Sequence, residues 1–553
     1  MDREVSKSIK QTVIVGGVAG GMSAATRLRR LDPHASIIVL EKSSYVSYAN
    51  CGLPYYIGGV ISAKQDLLLQ TPESLHARFA LDVRVRNEAI AIDRERKVVT
   101  VRDIESGSEY ELNYDNLILS PGAQPIVPPL PGIDRALTLR TVEDVTRIVD
   151  AISANPENVV VIGGGFIGVE TAENLRHRGI NTTIVEALDQ VLAPLDPEMS
   201  ISVADELRKH GVNLLLGAKV VALHDNGVEL ADGRTIPADL VILAIGVRPD
   251  VSLAKMAGLE IGTRGGITTN LNNQSSDPSI YAIGDAAEKV DALDGEATLV
   301  PLANIANRHG RVVADHIMGR PIREVKTIGT AIVKVFDLTI ATTGWNEKRL
   351  KAAGRHYQII HSHPGSHAGY YPGAKSMALK LIMDPETNLI LGAQGVGPDG
   401  VDKRIDVIAT SMRAGLTAPE LADLELAYAP PFGSAKDPIN MLGYMAENVA
   451  TGLTKTLQWH EIDERLADGA ILLDVRSKGE FSRGHIPGAL NISVDNLRER
   501  LSEIPKGELL IYCQVGQRGH TATLLLREYG FSATNLDGGY QTWVHSPAGN
   551  TKS

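Results

Sequence analysis

The chain has 553 residues, 43% apolar and 22% charged, which suits about three to four globular domains with sizeable cores. Its 55 basic and 66 acidic residues leave a net charge of −11 with no long basic run, which argues against a nucleic-acid partner. No run of about eighteen uncharged apolar residues offers a membrane span, and Met1-Asp2-Arg3-Glu4-Val5-Ser6-Lys7 lacks a signal-peptide core, so a soluble cytoplasmic protein is expected.

The first predicted unit is a β-branched strand, Thr12-Val13-Ile14-Val15, running into Gly16-Gly17-Val18-Ala19-Gly20-Gly21 and a helix from Met22. The next strand, Ile37–Leu40, ends at Glu41, followed by Lys42. This is a dinucleotide loop: a tight glycine turn, a helix N-terminus for pyrophosphate and a carboxylate for ribose hydroxyls. Val18 replaces the middle glycine, which relaxes how closely a pyrophosphate can approach. A fuller copy follows. Val159–Ile162 leads into Gly163-Gly164-Gly165-Phe166-Ile167-Gly168, and Glu186 ends the strand Thr182–Val185. A carboxylate there, with no arginine beside it, favours NADH over NADPH. Ser120-Pro121-Gly122 and the turn at Gly246 each leave a predicted strand, and Ile280–Ile283 delivers Gly284-Asp285 where a polyol hydroxyl could be bound.

Residues 11 to about 450 resemble the pyridine nucleotide-disulfide oxidoreductase family. The resemblance implies an α/β chain with two Rossmann-like nucleotide-binding domains, for FAD and for NADH, then an α+β dimerisation domain. FAD would fall to Gly16, Gly17, Ala19, Gly20, Gly21, Glu41, Lys42, Ser120, Gly122, Gly284 and Asp285. The nicotinamide cofactor would fall to Gly163, Gly165, Phe166, Ile167, Gly168, Glu186 and Gly246.

Cys51 sits in Ser47-Tyr48-Ala49-Asn50-Cys51-Gly52-Leu53-Pro54, and Tyr56 stands where disulfide reductases of this superfamily keep a second cysteine. A lone thiol stores two electrons only as a mixed disulfide, a persulfide or a sulfenic acid. Two groups remain open: NADH oxidases and peroxidases, which use sulfenic acid, and coenzyme A-disulfide reductases, whose cysteine pairs with CoA. The Ser-x3-Cys pattern resembles the second. Asn50 or Ser47 is expected to cap a helix near Cys51 and lower the thiol pKa. By resemblance, Ser23, Arg27, Arg30, Ser47, Asn50, Arg308 and Lys436 are CoA contacts. The basic cluster Arg27, Arg29, Arg30 can equally be a solvated helix face. Resemblance also implies a homodimer in which two partner tyrosines reach the cysteine; Tyr428 matches one, and Tyr370 and Tyr371 compete for the other. His361, His363 and His367 have no carboxylate or cysteine at matching spacing, so no metal site is expected.

The chain changes character after Met445. Leu472-Leu473-Asp474-Val475-Arg476, Gly484-His485-Ile486-Pro487-Gly488, Leu509–Tyr512 and Asp537-Gly538-Gly539 follow in order. This series resembles a single-domain rhodanese, an α/β fold. A strand delivers Cys513 into a turn containing Gly516 and ending at Arg518, with a helix expected from Thr521. Curled N–H groups, the helix dipole and Arg518 together favour a thiolate or persulfide. The expected domains are FAD-binding (1–120 and 247–325), NAD(P)H-binding (121–246), dimerisation (326–446), a linker (447–457) and rhodanese (458–553). The combined resemblance is to a coenzyme A-disulfide reductase fused to a rhodanese. It implies NADH-dependent reduction of CoA persulfide or polysulfide, with FAD and CoA as partners in the chemistry. A CoA-disulfide reductase with an independent sulfurtransferase, or an NADH oxidase or peroxidase, are the alternatives.

Overall fold

The computed structural model describes residues 10–550, so the reading of Met1–Lys7 lies outside the described residues. The chain forms two units: residues up to 187 with 211–327, and residues 188–210 with 328 onward. Segment 188–210, expected inside the second nucleotide domain, therefore groups with the later unit.

The first unit holds two five-stranded parallel sheets. In one, Gln11–Val15 lies between Ser36–Glu41 and Asn116–Leu119, and Ile280–Ala282 pairs with Asn116–Leu119. That last pairing joins strands far apart in sequence, which makes the domain discontinuous. In the other, Asn158–Ile162 lies between Asn181–Val185 and Leu240–Leu243. Val13, Ile14, Val160 and Val161 are fully buried, as parallel strands covered on both faces require. Each glycine loop therefore emerges at the carboxyl edge of a central strand, where ligands bind in open α/β sheets.

In the second unit an antiparallel sheet runs in the order Ala331–Val335, Leu338–Gly344, Ile390–Gly397, Ala378–Met383, Gln358–Ser362. Helices Val401–Ala414 and Pro438–Ala450 pack on it through Ile405, Ile408, Ile439 and Leu442. A parallel sheet follows in the order Thr456–Leu457, Ser532–Leu536, Glu508–Tyr512, Ile471–Asp474, Leu490–Asn491. Because one helix reaches Ala450 and this sheet begins at Thr456, the connecting segment is only 451–455, shorter than expected. Among the described residues no helix is long and apolar enough to cross a membrane.

Candidate active site

The first glycine loop is built by close approach. Gly16 has φ +102°, and a β-carbon there would fall 2.0 Å from the Ser120 carbonyl oxygen; at Gly21 one would fall 1.9 Å from that of Gly16. Glu41 is buried and fixes the loop, accepting from the N–H of Gly17 at 2.8 Å and of Ser43 at 2.9 Å. Burial pushes its pKa up, against the pull of those two N–H groups. Helix Ala19–Leu31 has no side-chain cap and no acid in its first turn. The same holds for helix Phe166–His177, whose head at Gly165 has no atom within 4 Å of a β-carbon position. Two helix N-termini with leading N–H groups unclaimed by side chains, each beside a carboxylate, fit dinucleotide pyrophosphates. Glu186 Oε2 accepts from Gly164 N at 2.6 Å, repeating the Glu41 arrangement. Asp285 lies in a tight turn after Gly284 (φ +70°), with Arg140 at 3.2 Å. Lys42 stands 4.0 Å from Asp250.

Cys51 is exposed and lies in the 3-10 turn Asn50–Gly52, ahead of the five-residue helix Leu53–Ile57. The expected cap is not there: neither element has a side-chain cap. Ser47 (φ +47°) instead donates its N–H to Gly17 O at 2.8 Å, tying the cysteine loop to the glycine loop. Asn50, oriented to satisfy its neighbours, donates to Arg140 O (3.0 Å) and accepts from Arg140 Nη1 (2.8 Å). The thiol pKa is accordingly raised rather than lowered, first by removal from bulk solvent and then by the Glu170 charge, with Arg140 opposing. A helix this short has too little dipole to reverse that. Glu170, on helix Phe166–His177, accepts from the Tyr55 hydroxyl at 3.2 Å, and burial lifts its pKa to about 7. It can therefore hold or release a proton beside the cysteine at neutral pH. Replacing Glu170 by glutamine removes that charge. Cys51 is expected to alkylate with iodoacetamide several-fold faster near neutrality, and the inflection near pH 7 in its rate profile should vanish.

The CoA candidates divide. Ser23 donates to Asn307 at 2.8 Å across two packed helices, one of which carries Arg308. The basic cluster does not act as one patch: Arg27 pairs with Asp315 at 2.6 Å and Arg29 donates to the carbonyls of Phe79, Pro33 and Ala80. Arg30 stays exposed, with its guanidinium 5.2 Å from the Phe79 ring. Lys436 is exposed and precedes Asp437, which caps helix Pro438–Ala450. Of the tyrosines, Tyr370 is the one that meets Tyr428, hydroxyl to hydroxyl at 2.8 Å. Tyr371 instead makes a T-shaped ring contact with His367.

In the C-terminal sheet, strand Glu508–Tyr512 delivers Cys513, which is fully buried, into a turn closed by Gly516 (φ +92°). The helix begins at Gln517, four residues before the expected start, so Arg518 belongs to its first turn. The left-handed glycine lets the chain wind into the helix at once. Arg518 donates to both oxygens of Glu480, at 2.9 and 2.6 Å, and holds that carboxyl down to about 2. Glu480 also accepts from Ser477 N–H and hydroxyl, so one carboxylate both starts a helix and aims the arginine. Buried Arg476 grips Asp474 through two donors and reaches Gln514 of the cysteine loop at 2.9 Å.

Residues 10–310 match the family described as pyridine nucleotide-disulphide oxidoreductase. The chain belongs to that family. It also matches that family's dimerisation domain over residues 330–437 and a rhodanese-like domain over 458–546. It is thus an oxidoreductase carrying a sulfurtransferase-like domain, and the family implies FAD and NAD(P)H. It is 38% identical to the coenzyme A disulfide reductase of Staphylococcus aureus (strain bovine RF122 / ET3-1), over 79% of this chain and 99% of that protein. Among solved structures, reduced Bacillus anthracis CoADR-RHD has a TM-score of 0.96 and 50% identity, over 97% of this chain and 98% of that one. An NAD-dependent persulfide reductase from A. fulgidus has a TM-score of 0.91 and 38% identity, over 96% and 100%. A water-forming NADH oxidase from Lactobacillus brevis has a TM-score of 0.76 and 26% identity, over 80% and 99%.

Several residues around these centres escaped the motif reading. Arg140 lies in no motif, Tyr55 closes the Gly52-Leu53-Pro54-Tyr55 run after Cys51 without announcing its partner, and Glu170 reads as one more residue of a fingerprint helix. Glu480 stands with Phe481 in the rhodanese-like series, and Ser477-x2-Glu480 is a capping box, but neither pattern announces an arginine partner.

Proposed function

We propose that this chain uses NADH to reduce the sulfane sulfur of coenzyme A persulfide or of polysulfide, releasing hydrosulfide. Cys51 would form a mixed disulfide with CoA, and Cys513 would accept and deliver sulfane sulfur. The observation that carries the reading is the pairing of two isolated thiols in different settings. Cys51 is exposed, with a proton-holding carboxylate nearby, and Cys513 is enclosed in a turn at a helix N-terminus. A CoA disulfide would give the second thiol nothing to carry. Likeness over nearly the whole chain to both a CoADR-RHD and a persulfide reductase supports a thiol-based reductase fused to a rhodanese, whereas the NADH oxidase matches only 80% of this chain.

The Cys51 thiolate attacks the CoA-bound sulfur of CoA–S–SH. The S–S bond breaks, hydrosulfide leaves with the electron pair, and a Cys51–CoA disulfide forms. Two electrons from NADH then cleave that disulfide, returning the thiolate and CoA thiol. FAD, held by Gly16, Glu41 and Asp285, supplies the two-electron relay when bound; Gly163, Gly165 and Glu186 would hold NADH, the latter disfavouring a 2′-phosphate. Glu170 holds a proton near the reacting sulfur, and Tyr370 and Tyr428, supplied by a second copy of the chain, would donate to the departing thiolate. Exposure of 75% at Tyr370 and 71% at Phe432 supports such a covered face. With Arg27 already matched by Asp315, exposed Arg30 and Lys436 are the more available CoA phosphate contacts, alongside Ser23, Ser47, Asn50 and Arg308. Two free thiols suit a reducing, cytoplasmic setting.

The test is anaerobic NADH oxidation with polysulfide and with CoA disulfide. The Cys513→Ser variant is expected to lose most polysulfide turnover, about tenfold or more, and to keep CoA disulfide turnover. Equal rates on both substrates would make the rhodanese domain a separate activity.

A further inference from the structure

Strand Gln358–Ser362 belongs to the dimerisation sheet, yet His361 on it is buried against the rhodanese domain. Its Nδ1 lies 2.7 Å from Asp537 Oδ2 and its backbone N–H donates to the same oxygen at 2.9 Å. Its Nε2 lies 3.0 Å from Glu198 on helix Pro197–Lys209. Only an imidazolium can donate from both nitrogens. Asp537 opens the Gly538–Gly539 turn, in which both glycines are left-handed, at φ +65° and +61°. A β-carbon at Gly538 would lie 2.7 Å from His361 Cβ, and one at Gly539 would lie 2.5 Å from Cys513 O. The turn is thus wedged between the histidine and the cysteine loop. Just beyond it, Tyr540 N–H donates to Cys513 O at 2.8 Å and Gln541 N–H to Gln514 O at 2.9 Å. A second peg from the same sheet edge, His363 Nε2, meets Thr542 Oγ1 at 2.7 Å.

We propose that His361 is a positioning residue of the Cys513 centre, supplied from outside the rhodanese fold. Clamped between Asp537 and Glu198, it fixes the Gly538–Gly539 turn that holds the Cys513 loop. This rests on Cys513 being the sulfur-accepting thiol. The groups around the ring favour its charge. Glu198 comes from helix Pro197–Lys209 and Asp537 from the rhodanese domain; Lys380, itself paired with Asp196, Glu198 and Glu347, opposes from strand Ala378–Met383. Neighbouring His363 stays neutral, held down to about 3 by burial and then by His361 and His545. Burial opposes the charge on His361, but Asp537 and Glu198 outweigh it and carry the pKa to about 9. A pKa raised in the folded state means the clamp is complete below about 6.5, the free-histidine value, and is lost as pH rises through 9.

The test compares wild type, His361→Gln and Asp537→Asn in sulfur transfer from thiosulfate to cyanide, across neutral to alkaline pH. NADH-driven CoA disulfide reduction serves as the reference for folding. Wild type should show a descending limb near pH 9, opposite to the rise a thiolate alone would give. Asp537→Asn should move that limb to lower pH. His361→Gln should abolish it and lower transfer about tenfold, with CoA disulfide reduction unchanged. Profiles identical to wild type, or equal losses in both activities, would overturn the proposal. Cys513→Ser, run alongside, separates the underlying reading. If it transfers sulfur like wild type, the thiol assignment fails, and the iodoacetamide reactivity of Cys513 in the two variants then decides the positioning role directly: altered pH dependence supports it and an unchanged profile contradicts it.

Discussion

Cys51→Ser is expected to lose NADH-driven reduction of every thiol substrate, by on the order of 10³-fold or more. A serine hydroxyl can hydrogen-bond where the thiol did but cannot form a mixed disulfide. The chain's one other cysteine, Cys513, is fully buried in the rhodanese domain, so no second thiol beside Cys51 can take over. The nucleotide loops do not depend on the sulfur. Glu41 and Glu186 hold them through backbone N–H groups, so reduction of bound FAD by NADH, read from its absorbance, should persist. An NADH oxidase working through sulfenic acid would lose peroxide or oxygen turnover in the same variant. Anaerobic assays with CoA persulfide therefore separate the two chemistries.

Lys380→Met is expected to destabilise the chain by about 3–5 kcal/mol, the scale for removing one partner from a buried ion cluster. The ammonium is fully buried and touches Asp196 at 2.9 Å and Glu198 and Glu347 at 2.5 Å each. It stands where these three acids would otherwise gather a cation. One ammonium does not serve all three equally. Against burial, it holds Glu198 and Glu347 below the usual carboxylate range, whereas burial wins at Asp196 and pushes it up. Depressed carboxylates give stability that is present above about pH 4.5 and is lost as pH falls. In the methionine variant these acids can relieve their repulsion only by protonating. Its deficit should therefore be largest at pH 8 and shrink at pH 5, as urea midpoints at the two pH values would show. A deficit independent of pH would mean the loss is one of packing.

The nucleotide domains were legible because their signals are local. Val13–Ile14 and Val159–Ile162 are buried and read as apolar runs, and each meets its glycines within one turn. The rhodanese loop was legible for the same reason, although its helix starts at Gln517 rather than the expected Thr521 because Gly516 permits a tighter turn. The tertiary environment of Cys51 was not. Asn50 and Ser47 have capping chemistry, yet Arg140 and Gly17 claim them, and desolvation of the thiol, helped by the Glu170 charge from the other nucleotide domain, raises its pKa where a cap would have lowered it. His361 was visible only as one of three histidines at suggestive spacing. Its partners lie 163 and 176 residues away, beyond the reach of any periodicity.

Stoichiometry is the direct test of whether NADH oxidation is coupled to sulfane sulfur. Under anaerobic conditions, with CoA persulfide as the sole acceptor, hydrosulfide, free CoA thiol and NADH consumed should be counted together. One hydrosulfide and one CoA thiol are expected for each NADH. NADH oxidation without hydrosulfide, or only after oxygen is admitted, would contradict that coupling.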